Sequence, residues 1–158
     1  RARSAAESGN LPVASSEFQK IAQSYSGTEA GYQAVLALNE VRLASGQAQL
    51  AVDDLRSFVG RNPPATHAAS GYSLLGAALE NLAKFDEAAA AYAQGAELAP
   101  EGYRQVDARL AQARALRLAG KGAEALTVLR GIVSRYSRET PGVAEAEVRL
   151  AELTKGAM

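Results

Sequence analysis

The chain contains no cysteine and no tryptophan, and its one histidine is His67. Without thiols it can build neither a disulfide scaffold nor a thiolate metal site, and a single imidazole does not make a multi-histidine centre. A thiol-free sequence suits oxidising and reducing surroundings alike, so composition leaves the compartment open. No apolar run is long enough to span a bilayer, and the N-terminus lacks the basic-then-apolar pattern of a signal peptide. These residues are therefore not expected to insert into a membrane. An excess of one charge is missing too: 17 Lys and Arg balance 17 Asp and Glu, so nothing favours nucleic acid or an anionic membrane as partner. Strand-like alternation of apolar and polar residues appears in no segment, which points to an all-helical chain.

What is present is a repeat. Ala14, Ala51, Ala88 and Ala125 follow one another at a constant step of 37 residues. Four residues after each stands a large side chain, Phe18, Leu55, Tyr92 and Leu129, and seven after stand Ile21, Phe58, Gly95 and Ile132, with Gly95 the weak member. Five before each stand Gly9, Gly46, Ala83 and Gly120, where a tight turn between antiparallel helices needs positive φ. Twelve after come Ser26, Pro63, Pro100 and Ser137, the helix-ending slot. The clearest unit runs from Ala69 to Pro100. There Tyr72, Leu75 and Leu79 form one apolar stripe, Phe85, Ala88 and Tyr92 form a second, and Gly76 and Ala88 are the small residues where two helices cross. Glycine inside a helix costs about 0.5–1 kcal/mol relative to alanine, so its presence implies that the missing side chain is used.

The spacing predicts a stub of helix at 1–8, then helices over 11–25, 29–45, 47–59, 66–82, 85–98, 102–119, 121–136 and 141–153. Pro12 lies in the first turn of the second helix, and Thr28 and Thr140 are expected to cap the helices that follow them. The expected organisation is one domain over 1–158, with units near 1–27 (partial), 28–64, 65–101, 102–138 and 139–158 (partial). Arg1 falls within the first unit's first helix, and the last unit has only a first helix. That pattern suggests a segment of a longer chain, whose upstream residues complete the helix and could run on from a membrane anchor; the alternative is that the stub is a short native cap.

The pattern Tyr72-x-x-Leu75-Gly76-x-x-Leu79, Ala88-x-x-x-Tyr92, Pro100 resembles a tetratricopeptide repeat (TPR) unit. The resemblance implies an antiparallel helix-hairpin solenoid coiled into a right-handed superhelix, with no catalysis and no cofactor. Its use would be a concave face, made by the first helix of each pair, that binds a protein or peptide. The period exceeds the usual 34 by three residues. Longer units are similar to the TPR proteins of the bacterial envelope: the Tol-Pal accessory protein, the outer-membrane assembly lipoprotein, and an inner-membrane-anchored group associated with the translocon. This likeness implies a periplasmic or membrane-associated protein, with the cytoplasm as the alternative. The family's carboxylate clamp would fall at Leu36, Glu40, Ser73, Ala77, Leu110 and Arg114, and these residue types do not form it. The expected groove lining is instead Gln33, Glu40, Ser73, Glu80, Asn81, Arg114 and Arg117, with Arg114 and Arg117 one turn apart and either able to hold a carboxylate together or part of a solvated helix face. The alternative role is a structural spacer or a self-association module acting through open solenoid ends.

Other features carry little chemistry. His67 is read as an exposed histidine at a loop–helix junction with no carboxylate near it in sequence. Gly120-Lys121-Gly122 lacks the remaining residues of a phosphate loop and occupies a turn slot. Asp53-Asp54 and Asp86-Glu87 point to different helix faces and are read as early-turn dipole partners rather than metal ligands. Tyr32, Tyr72 and Tyr103 open three first helices and suggest a ladder, while Tyr25 and Tyr136 are read as packing residues. Residues 101–138 hold eight basic and three acidic side chains, whereas 29–100 hold eight acidic and four basic. That asymmetry could steer a partner or pair molecules head to tail.

Overall fold

The computed structural model describes residues 1–155; the last three residues of the final expected unit lie outside them. Among the described residues there are nine helices and no strand: α1 (Ala2–Glu7), α2 (Leu11–Ser24), α3 (Glu29–Ala44), α4 (Ala48–Gly60), α5 (Ala65–Asn81), α6 (Phe85–Leu98), α7 (Gly102–Leu118), α8 (Gly122–Arg135) and α9 (Val143–Lys155). Each helix packs on the next in a repeating antiparallel array. The expected boundaries hold to within two residues, and α9 starts two residues late. Gly142 there has φ 91°, and the Val143 N–H donates to the carbonyl of Thr140 at 3.2 Å, so a turn precedes the helix and Thr140 offers its carbonyl. At α3 the hydroxyl of Thr28 does cap, accepting from the Gly31 N–H at 3.2 Å.

The four turns within helix pairs have left-handed backbones at the expected positions: Gly9 (φ 78°), Gly46 (73°), Ala83 (56°) and Gly120 (79°). Three of them are glycine, for which this conformation is free; Ala83 has a Cβ that opposes it. Ala83→Gly is therefore expected to raise stability by about 1 kcal/mol, and a urea midpoint no higher than the parent's would contradict the strain.

The marker alanines Ala14, Ala51, Ala88 and Ala125 are all fully buried, and Phe18, Leu55, Tyr92 and Leu129 are buried beside them. Gly76 is used as the sequence implies, but by a ring rather than a backbone. A Cβ there would stand 2.6 Å from Cε1 of Tyr92, whose aromatic face fills the space. Gly95, weak in the pattern, lets α6 pass close to α5, since a Cβ would lie 3.0 Å from Ser73 Oγ and 3.2 Å from the Ala69 carbonyl.

One repeat earlier, the slot of Gly76 holds Asn39; one repeat later it holds Ala113. Asn39 is fully buried. Its Nδ2 donates to the Val35 carbonyl at 2.9 Å and to Asp54 Oδ2 at 2.8 Å, while Arg42 Nη1 donates to Asn39 Oδ1 at 3.2 Å and to Asp54 Oδ2 at 2.8 Å. Fewer backbone positions of α3 and α4 come close than in the α5–α6 pair, as a wedge of polar side chains requires. Asp54 is thus the hub of an internal network in mid-α4, not a dipole partner in a first turn.

Candidate functional site

The first helices α3, α5 and α7 share one face and form a groove of about 400 Å³. Leu36, Leu74, Ala108 and Ala111 supply an apolar floor; Glu40 stands on the α3 wall, Asp107 and Arg104 on the α7 wall, and Ser70 and Ser73 lie between. The residues recur at three- and four-residue steps along each helix, which is why one face of each carries them. Tyr92 reaches this face from α6 across Gly76. Burial, with Glu80 adding to it and Arg114 opposing, pushes the Tyr92 hydroxyl up to about 12, so at neutral pH it is a protonated group able to donate and accept.

The structure distributes the expected groove residues over four places. Glu40 and Ser73 line the groove. Gln33 lies at the start of α3, where its Nε2 donates to Glu29 Oε1 at 2.8 Å. Glu80 and Arg114 face each other: Arg114 Nε and Nη2 donate to the two carboxylate oxygens at 3.2 and 3.1 Å, and the guanidinium carbon lies 5.9 Å from the centre of the Tyr92 ring. Arg114 and Arg117 both border a smaller cleft of about 130 Å³ towards α9, with Glu145, Arg149 and Glu152 across it. Asn81 is exposed at the end of α5. Arg114 is therefore already held in the two-point fashion that a bound carboxylate would need.

Several readings of single residues change. His67 lies in the first turn of α5 with only 13 % of its side chain exposed; Nε2 is 2.8 Å from Glu29 Oε2 and the ring lies against Tyr32, centroids 5.2 Å apart. The hydrogen bond from His67, and then that from Gln33, hold the Glu29 carboxyl below its usual range. The tyrosines of the first helices do not form a ladder: Tyr32 packs edge-on to Phe58, Tyr72 is partly buried against the Phe58–Val59 cluster, and Tyr103 is exposed. Tyr25 is 55 % exposed rather than packed, whereas Tyr136 packs and donates its hydroxyl to Gln105 Oε1 at 2.7 Å. The uneven charge is spent inside the molecule. Glu80 pairs with Arg114, Glu97 with Arg109 and Asp86 with Lys121, joining the acidic α5–α6 pair to the basic α7–α8 pair. All three pairs set an acidic side chain of one helix pair against a basic one of the next.

Sequence reasoning missed a second cleft, of about 470 Å³ between α2, α3 and α4, bordered by Tyr32, Phe58, Arg42, Asp54 and Arg61. The available sign was Asn39 in a slot that otherwise holds a small residue. Among the described residues no group of acidic and histidine side chains is placed to hold a metal ion, and no helix is long and apolar enough to cross a membrane.

No family model and no curated protein matches this sequence. Among solved structures, the chain is similar to the nearly identical TPR-like repeats of a Podosopora anserina protein described as a kinesin light chain. The TM-score is 0.76 at 18 % identity, over 99 % of this chain and 83 % of that one. A single-substitution variant of that protein matches equally, with 82 % of its chain covered. The likeness shows the fold, an all-helical TPR-like repeat solenoid.

Proposed function

We propose that this chain is a non-catalytic scaffold that holds a protein or peptide segment across the face of α3, α5 and α7. Of the residues expected from the sequence, Glu40 and Ser73 would supply its polar surroundings, joined by Ser70, Arg104 and Asp107. The observation that carries the reading is the groove itself, in which three successive first helices contribute an apolar floor and polar walls to one continuous surface. A bound segment would bury side chains on Leu36, Leu74 and Ala111, at about 25 cal/mol per Å² of apolar surface removed from water. The whole chain is read as one domain of 37-residue units. A place in a bacterial envelope assembly, on the periplasmic or membrane-associated side, rests on that repeat length and on the texture of segments such as Tyr25-Ser-Gly-Thr-Glu-Ala30.

The test is a selection of displayed random peptides against the parent protein. The selected peptides are then titrated against the parent and against Ala111→Trp, which fills the groove floor, with circular dichroism and the thermal midpoint confirming that the variant is folded. Peptides binding at micromolar Kd to the parent and at least 10-fold more weakly to Ala111→Trp support the reading. Equal binding to both forms would refute it. In that case self-association measured by sedimentation would favour the spacer role, with contacts through the solenoid ends.

A further inference from the structure

We infer that the segment held in this groove carries two basic side chains flanking an apolar one. The inference rests on the groove being the binding face, and it comes from comparing which charges there are satisfied. Arg114 is taken by Glu80. Arg104 donates to Ser70 Oγ at 2.7 Å and to Glu101 at 3.4 Å. Arg117 lies outside the groove, in the cleft towards α9, where Glu145 and Glu152 share the space with Arg149. What remains inside the groove is acidic. Glu40 and Asp107 are both exposed, both line it, and neither makes a hydrogen bond or an ion pair among the described residues.

The two carboxylates stand on opposite walls, Glu40 on α3 and Asp107 on α7, with the apolar side chain of Leu74 on α5 between them. Neighbouring helix axes lie about 8–10 Å apart, so the walls are separated by about two such spacings. One cation cannot reach both. An extended segment rises about 3.3 Å per residue and turns every second side chain to the same side, so residues four apart point into the groove about 13 Å from one another, and the long arms of Lys or Arg cover the rest. The pattern that fits is basic-x-apolar-x-basic, with the apolar side chain on Leu74 and Ala111 and the aliphatic stems of the basic residues along Leu36 and Ala108. An acidic segment would meet two carboxylates and no free cation. This reverses the expectation from sequence, in which Arg114 and Arg117 receive a carboxylate.

The experiment uses two fluorescein-labelled peptides, one containing Arg-Ser-Leu-Ser-Arg and one containing Glu-Ser-Leu-Ser-Glu, read by fluorescence anisotropy at two salt concentrations. The proteins are the parent, the double variant Glu40→Gln with Asp107→Asn, and Ala111→Trp. The parent is expected to bind the basic peptide at least 10-fold more tightly than the acidic one. The double variant should lose at least 10-fold and most of the salt dependence, because exposed charges are screened over about 10 Å at 0.1 M salt. Ala111→Trp should lose binding of the basic peptide altogether. If Ala111→Trp abolishes binding while the double variant binds as the parent does, the groove stands and the basic pattern falls. Binding unchanged by both sets of substitutions removes the groove as well. A basic peptide that fails to bind the parent below about 1 mM, or binds no better than the acidic one, overturns the inference; the displayed-peptide selection still decides the groove independently.

Discussion

Gly31→Ala is expected to destabilise the protein by about 2–3 kcal/mol, although alanine is the better helix former by about 0.5–1 kcal/mol. The reason is a backbone contact. A Cβ at Gly31 would stand 2.1 Å from the carbonyl oxygen of Tyr25 and 2.8 Å from its carbon, and a backbone carbonyl cannot rotate away as a side chain can. That oxygen is also held in place, accepting from the Thr28 hydroxyl at 2.6 Å and from the Thr28 N–H at 3.1 Å. Relief requires moving the start of α3 off the end of α2, which breaks the Thr28 cap. In a chain of this size the loss corresponds to a fall in Tm of about 4–12 °C. Because each helix pair of a solenoid contacts mainly its neighbours, amide exchange should accelerate in α2 and α3 far more than in α8. Gly131→Ala is the control: it lies within α8 with no atom within 4 Å of the added Cβ, and it should be neutral or stabilising by up to about 1 kcal/mol. If Gly31→Ala melts no lower than the parent, α3 does not approach α2 so closely.

Asp54→Ala should be comparably damaging, at about 2–3 kcal/mol. It removes the acceptor of Asn39 Nδ2, an atom of a fully buried side chain, and the counter-ion of Arg42, whose side chain is 16 % exposed. Asn39 Nδ2 would keep only the Val35 carbonyl, and Arg42, on the border of the cleft, would keep only Asn39 Oδ1. Asn39→Ala should cost less, because it removes the buried amide and leaves the Arg42–Asp54 pair intact, putting at this slot the alanine that Ala113 already provides one pair further on. Combining the two substitutions should cost less than the sum of the single effects, since removing Asn39 spares the cost of leaving one of its buried N–H groups unpaired. Urea denaturation of the three variants measures this. A parent-like midpoint for Asp54→Ala would mean that the network contributes nothing to stability.

The helices, the turns and the buried alanines were legible because each depends on a short stretch of chain and the pattern recurs four times. The misread residues share another property, that their partners lie far away in sequence. His67 meets Glu29 38 residues away, and Arg114 meets Glu80 34 away. These separations are close to one repeat. Opposite charges about one repeat apart were thus a readable sign that adjacent helix pairs join through ion pairs, and the charge asymmetry between 29–100 and 101–138 was its trace. Gly31 and Asn39 gave weaker signs, a helical glycine outside the repeat columns and a polar residue in a small-residue slot.

By itself the sequence determined an all-helical repeat, its turns and its buried faces, since helix periodicity and backbone φ are set by residues within a turn or two of each other. Only the tertiary structure decided which charges are satisfied and which remain open to a partner. That choice depends on how far each helix is shifted and rotated against the next, and the shift is set by packing, by a ring over Gly76 in one pair and a polar wedge at Asn39 in another.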